Sequence, residues 1–155
     1  MSPTVISFIK SSLAYLAIGV TLGILMAIKV LPDPRNIGLI TTAHAHINLM
    51  GTVMMLIYGV GYHILPRFSG RPLYSEGLAS AQLWINNIGL AGMAVTLLVG
   101  AYTDTDIMRI AIAPFGIVYA VGAYIFVYNL WKTIAAATPA PAPPGAGGGP
   151  QKPAG

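Results

Sequence analysis

The chain has 155 residues, of which 55% are hydrophobic and 8% charged, and its mean hydropathy is +0.73. A soluble domain carries about 25% charged residues, so a soluble globule, a disordered chain and a nucleic-acid reader are excluded. The net charge of +4 comes from eight Lys+Arg scattered against four Asp+Glu; they form no basic patch and read as membrane-topology signals. There is no cysteine, which excludes disulfides, thiolate metal sites and cysteine nucleophiles.

At about 20 apolar residues per span, the length suits one all-α integral membrane bundle of about four helices. The first apolar run, Leu13–Leu31, follows Lys10 and stops at Pro32, Asp33 and Pro34. It begins like a signal peptide, but no small-residue cleavage site follows, so a retained helix is expected. Gly19 and Gly23 make a small-xxx-small pair, a mark of close helix packing. The second run, Ile37–Leu65, ends at Pro66. It exceeds what a bilayer needs and should tilt or protrude. It carries all three histidines, His44, His46 and His63.

The third run, Leu78–Tyr102, holds Gln82, Trp84, Asn86 and Asn87 near its first turns. The fourth, Ile107–Trp131, has Asp104 or Asp106 as a cap and Pro114 beside Gly116 as a kink. Residues 1–134 thus read as one transmembrane domain. From Ala135 to Gly155 the chain is Ala, Pro and Gly with a single Gln and Lys, and it reads as a disordered tail. No internal repeat is visible.

Four crossings put both termini on one side. That side, with the loop after the second span, holds Lys10, Arg67, Arg71, Lys132 and Lys152. The other holds Lys29, Arg35 and Arg109, diluted by Asp33, Asp104 and Asp106. The positive-inside rule therefore places the termini in the cytoplasm.

Ionisable residues inside a span are functional candidates. His44 and His46 diverge by about 200° around a helix. They cannot chelate one ion from one face, but each can serve a neighbour on its own side of the helix. Imidazole ligates heme iron, zinc and copper. Zinc and non-heme iron want more ligands than this chain offers. Heme needs one or two axial ligands and a large apolar slot.

His44 and His46 are therefore the expected metal ligands, with Asn48 on the same stretch as a further cofactor-binding residue. Arg35, just outside their level, suits heme propionates through bidentate pairing. His63 lies about 25 Å along the helix from His46 at about 1.5 Å per residue. It reads as a helix–helix hydrogen bond. Tyr58 and Tyr62 read as packing and interface residues, Met50, Met54 and Met55 as gap fillers, and Arg67 and Arg71 as topology anchors.

The run His44-Ala-His46-Ile-Asn-Leu, then Tyr62, Leu65-Pro66-Arg67, Arg71-Pro72-Leu73-Tyr74-Ser75 and Leu83-Trp84 resembles subunit I of heme–copper oxidases. The likeness is closest to the C-type oxidases and the large subunit of nitric oxide reductase. In the reductases a His-Ile-Asn-Leu helix ligates the low-spin heme. In the C-type oxidases a His-headed helix running into a Pro-Arg/Lys and Arg-Pro-x-Tyr-Ser loop carries a metal ligand. The family's subunit I has about twelve spans in three pseudo-repeats of four, and one of its helices uses His-x-His to serve two hemes. The resemblance thus implies a homotrimer in which His44 of one copy and His46 of the next clamp each heme. Copper is not expected, because symmetry leaves no spare histidine at that level.

The expected function is a membrane-bound b-type cytochrome with bis-histidine heme at subunit interfaces, passing electrons between a quinol or redox protein and a partner. A protein that binds or senses nitric oxide or oxygen without turnover is the alternative, and heme storage or assembly a third reading. No complete heme–copper catalytic site is visible. The expected location is a bacterial-type inner membrane, crossed several times.

Overall fold

A computed structural model describes residues 1–103 and 106–135. It contains α1 (Pro3–Ala27), α2 (Ile37–His46), a π-helical segment (Ile47–Met54), α3 (Met55–Phe68), α4 (Glu76–Tyr102) and α5 (Asp106–Ala135). Among the described residues there is no strand. The helix α2, the π segment and α3 follow without a break. Four stretches are therefore long and apolar enough to cross a membrane: Pro3–Ala27, Ile37–Phe68, Glu76–Tyr102 and Ile110–Ala135. This is the all-α, four-helix architecture expected from the composition. Asp104, one of the two expected caps, and residues 136–155, almost all of the expected tail, lie outside the described residues, while Asp106, the other, is the first residue of α5.

Local chemistry moves several boundaries. α1 starts at Pro3, well before Leu13, because the Ser2 hydroxyl accepts from the Val5 N–H at 3.4 Å and Pro3 opens the first turn. Lys10 consequently lies on the exposed face of the helix rather than ahead of it. α1 ends at Ala27, before the proline run. Lys29 takes a left-handed φ of 54°, and the N–H groups of Lys29 and Val30 donate back to Met26 and Leu25 carbonyls at 3.3 and 3.4 Å. That is a Schellman closure with lysine where glycine is usual.

The second span runs past Pro66 to Phe68 and closes at Gly70, φ 66°. There the N–H groups of Ser69 and Arg71 return to the Leu65 and Pro66 carbonyls. α4 opens at Glu76, with the Ser75 hydroxyl accepting from the Leu78 N–H at 3.1 Å. α5 opens at Asp106 and carries Pro114 inside it.

α4 and α5 lie close enough that a Cβ on Gly89 would sit 2.7 Å from the Tyr119 nitrogen. α1 packs on the π segment and α3, and α2 packs on α4. An aromatic cluster fills the centre. Phe8 lies 6.1 Å from Tyr58 and 5.8 Å from Tyr62, while Phe126 lies 4.6 and 5.1 Å from the same two rings, centroid to centroid.

One end of the bundle gathers the start of α1, the α3–α4 loop and the end of α5. There Tyr74 N–H donates to Thr133 Oγ1 at 3.0 Å. At the other end Asn36 N–H donates to the Ala101 carbonyl at 3.1 Å. Both ends of the described helical unit therefore lie on one side.

Candidate functional site

The site is built on α2, whose buried stripe is Ile40 and Ala43, continued by Ile47. His44 and His46 flank that stripe on opposite sides, each half-buried. The divergence expected from helical geometry is kept, because the π segment begins only after His46.

His46 Nδ1 lies 2.8 Å from the Thr42 carbonyl oxygen. A carbonyl oxygen only accepts, so Nδ1 carries the proton and Nε2 keeps its lone pair. Metal-ligating histidines are oriented by this kind of bond. His44 sits differently. Its ring lies against α1, where a Cβ on Gly23 would be 2.9 Å from His44 Cε1. Asn48 Nδ2 donates to the His44 carbonyl at 2.9 Å and lies 3.4 Å from His44 Nδ1. That contact favours the tautomer opposite to His46, with the proton on Nε2.

Asn48 also presses on α1, since a Cβ on Gly19 would lie 2.6 Å from its amide. The Gly19–Gly23 pair is thus a close-packing surface, and its partners are Asn48 and His44. Arg35 stays exposed in the connection before α2, about two helical turns from His44. The structure therefore joins His44 with Asn48, sets His46 on the other flank, and leaves Arg35 at the mouth of the bundle.

The π segment went unseen in the sequence. Its i→i+5 bonding shifts carbonyls out of α register, and side chains from two helices take them up. Ser12 Oγ donates to the Thr52 carbonyl at 2.8 Å, and Tyr119 OH donates to the Met50 carbonyl at 3.0 Å. Gly51 lets Tyr15 and Leu90 close in, to 2.6 and 2.9 Å of where its Cβ would stand. Irregular backbone at membrane depth survives only when other protein groups satisfy it. Gly51 was the one local hint.

His63 departs from expectation. Arg67 Nη1, on the same helix, lies 2.7 Å from its Nδ1. The expected bond between helices is replaced by one along the helix, because positions four apart share a face. His63 lines a cavity of about 410 Å³ at the Ser75 end, with Tyr62, Arg67, Arg71 and Glu76.

Asn129 and Thr133, polar positions in the last turns of an apolar span, form no motif in the sequence. Asn129 Oδ1 accepts from Ser75 N–H at 3.0 Å, and its Nδ2 donates to the Ser75 carbonyl at 2.8 Å. Together with Thr133 it fixes the Arg71–Ser75 loop to α5. Tyr74, in that loop, packs edge-on to Tyr128 at 5.9 Å. A hydrogen bond with Tyr128 pushes its hydroxyl above the ordinary tyrosine value.

Among the described residues no three His, Asp or Glu side chains converge. The donors that one chain offers are single imidazoles.

The profile of the family described as Cytochrome C and Quinol oxidase polypeptide I matches residues 3–142. The chain belongs to that family. It is 26% identical to the Cbb3-type cytochrome c oxidase subunit CcoN1 of Stutzerimonas stutzeri, over 90% of this chain and 34% of that protein. It is 29% identical to Cytochrome c oxidase subunit 1 of Rhodobacter capsulatus, over 84% of this chain and 29% of that one. The chain spans about a third of the length of the curated relatives it matches. Membership in the polypeptide I family bears out the resemblance carried by residues 44–84 and extends it across all four helices.

Proposed function

We propose that the chain is a b-type membrane cytochrome of a bacterial inner membrane, in which His44 and His46 ligate heme iron between copies of the chain. The observation that carries this reading is His46. Its Nδ1–H is tied to Thr42, which leaves a lone-pair Nε2 on a half-buried ring inside a membrane span. Polar rings at that depth are costly unless something covers them, and an apolar macrocycle with an iron is such a cover.

The donor set fits heme: two imidazoles, apolar helix faces, and an arginine at the mouth, with His44 offering Nε2 once its proton moves to Nδ1 and the 3.4 Å Asn48 contact is given up. His44 and His46 stand on opposite flanks, so each iron draws one histidine from each of two copies. A closed ring uses both histidines of every copy in one kind of contact. The family's threefold pseudo-symmetry selects a homotrimer. A heme held there supplies one-electron exchange with a quinol or redox-protein partner. Arg35 receives the propionates by charge-assisted pairing. No copper centre forms part of this proposal, since His63 stands alone at the far end of the span.

The test is the native mass and pigment content of detergent-purified protein. A trimer with about one b-type heme per chain supports the reading. A heme-loaded monomer with six-coordinate iron overturns it, because one chain cannot bring both histidines to one iron.

One observation favours a second reading. The Asn48 contact and the packing against Gly23 hold His44 in place, so a five-coordinate iron on His46 alone is the natural result if Asn48 does not yield. Such an iron would bind a diatomic gas rather than only pass electrons. Rapid carbon monoxide binding to the reduced protein separates this case from the first.

A further inference from the structure

The cavity of about 410 Å³ at the Ser75 end lies at the opposite end of the second span from His44 and His46. Its lining divides by chemistry. His63, Arg67 and Arg71 make the basic part, Val5 and Leu73 supply apolar surface, and Glu76 is the carboxylate among the described lining residues.

His63 differs from His46 in what it offers a ligand. Arg67 Nη1 lies 2.7 Å from His63 Nδ1 and also donates to the His63 carbonyl. A guanidinium stays protonated and only donates, so Nδ1 accepts and the ring proton stands on Nε2. The remaining ring nitrogen is therefore an N–H, not a lone pair. An N–H and a guanidinium on one helix suit an anionic oxygen ligand and repel a metal ion.

Backbone geometry sets the two arginines in place. The turn after α3 closes at Gly70, φ 66°, and Arg71 N–H returns to the Pro66 carbonyl at 3.1 Å. Further along, Asn129 holds Ser75 and Thr133 holds Tyr74 N–H, so the segment that carries Arg71 is fastened to α5. Glu76 stands in the first turn of α4, where a helix N-terminus favours a carboxylate. Two guanidinium groups against one carboxylate leave the lining side chains with a positive surplus.

The same end of the bundle carries the marks of a membrane interface. Tyr74, Tyr128 and Trp131 are 53%, 49% and 73% exposed, as in the aromatic belts at headgroup level. Lys132 Nζ lies 5.8 Å from the Tyr128 ring centroid. A basic wall beside an apolar wall at that level matches a phospholipid, and basic pockets between spanning helices bind anionic head groups. We propose that this cavity binds the phosphodiester of an anionic phospholipid, held by Arg67 and Arg71 with His63 Nε2–H as a further donor. Its oxygens accept charge-assisted bonds from the guanidinium groups, and Val5 and Leu73 meet the glycerol and first methylenes. The proposal does not depend on the heme reading.

The experiment is native mass spectrometry of the detergent-purified, delipidated protein, titrated in turn with phosphatidylglycerol, phosphatidylcholine and inorganic phosphate. Phosphatidylglycerol should bind at about one per chain and more tightly than phosphatidylcholine, and inorganic phosphate should not displace it. Arg67→Gln and Arg71→Gln should each weaken phosphatidylglycerol about fivefold, at unchanged helical circular dichroism. Lys132→Gln, at the same end but outside the cavity, should leave the affinity within about twofold of wild type. Equal affinity for the two lipids overturns the proposal, because the arginines would then recognise no anion. Displacement by inorganic phosphate at equal concentration also overturns it, since the ligand would be a free anion. So does an equal loss in Lys132→Gln and Arg67→Gln, which would mean a diffuse basic surface. If Arg67→Gln does not fold, Arg71→Gln carries the test, and unchanged affinity there contradicts the site.

Discussion

The flank of α2 and the seam between α4 and α5 treat polar side chains in opposite ways. In the seam Asn86 and Asn129 are fully buried and bonded to backbone of another element. Glycines at 89 and 122 let the helices approach so closely that a Cβ would meet Tyr119 or Asn86. On the α2 flank His44 and His46 are half-buried, and each ring is steadied by a group of its own helix. Polar groups that bind other helices are spent on architecture. His46 keeps a lone pair on Nε2, the nitrogen to which the proposed function assigns the iron.

The comparison can be broken most sharply with single substitutions. His46→Ala should lose essentially all heme while the helical circular-dichroism signal stays, because the ligand leaves and no packing does. His44→Ala should lose the heme or convert it to a five-coordinate form, seen in the visible spectrum. His63→Ala should retain most of the pigment, since that ring pairs with Arg67 far along the span. Loss of all heme in His63→Ala with retention in His46→Ala would place the site at the wrong end.

Substitutions in the seam should show the reverse pattern. Gly89→Ala forces a methyl onto the Tyr119 backbone and should cost about 1–3 kcal/mol by overpacking, measured as lower thermal stability with unchanged heme per folded chain. Asn129→Ala removes both bonds to Ser75 and should cost about 2 kcal/mol. Proteolysis of the Arg71–Ser75 loop should rise in parallel. The smallest effect is expected at Lys29→Gly. Relief of a left-handed φ, less the entropy glycine adds to the unfolded chain, should stabilise by about 0.5–1 kcal/mol.

What the sequence disclosed follows the same division. Long apolar runs made four crossings legible, and the His-x-His spacing made the two flanks of α2 legible, because both depend only on hydrophobicity and helical pitch. Gly19 and Gly23 announced close packing but not their partners, since Asn48 and His44 are distant in sequence. The start of α1 at Pro3 was missed because a cap at Ser2 outweighs the less apolar turns after it. The π segment was missed because tertiary bonds from Ser12 and Tyr119 sustain it. Asn129 was missed because its partner is the backbone of a loop far away in the chain. Arg35 lies exposed in the connection before α2, and its role toward a propionate rests on the proposal.

The most direct test of the central claim is the absorption spectrum of the reduced, detergent-purified protein with and without carbon monoxide. The account predicts sharp low-spin b-type bands from iron held by His44 and His46, with little change on adding the gas. Absence of heme, or a low-spin spectrum that survives replacement of both histidines, would contradict it.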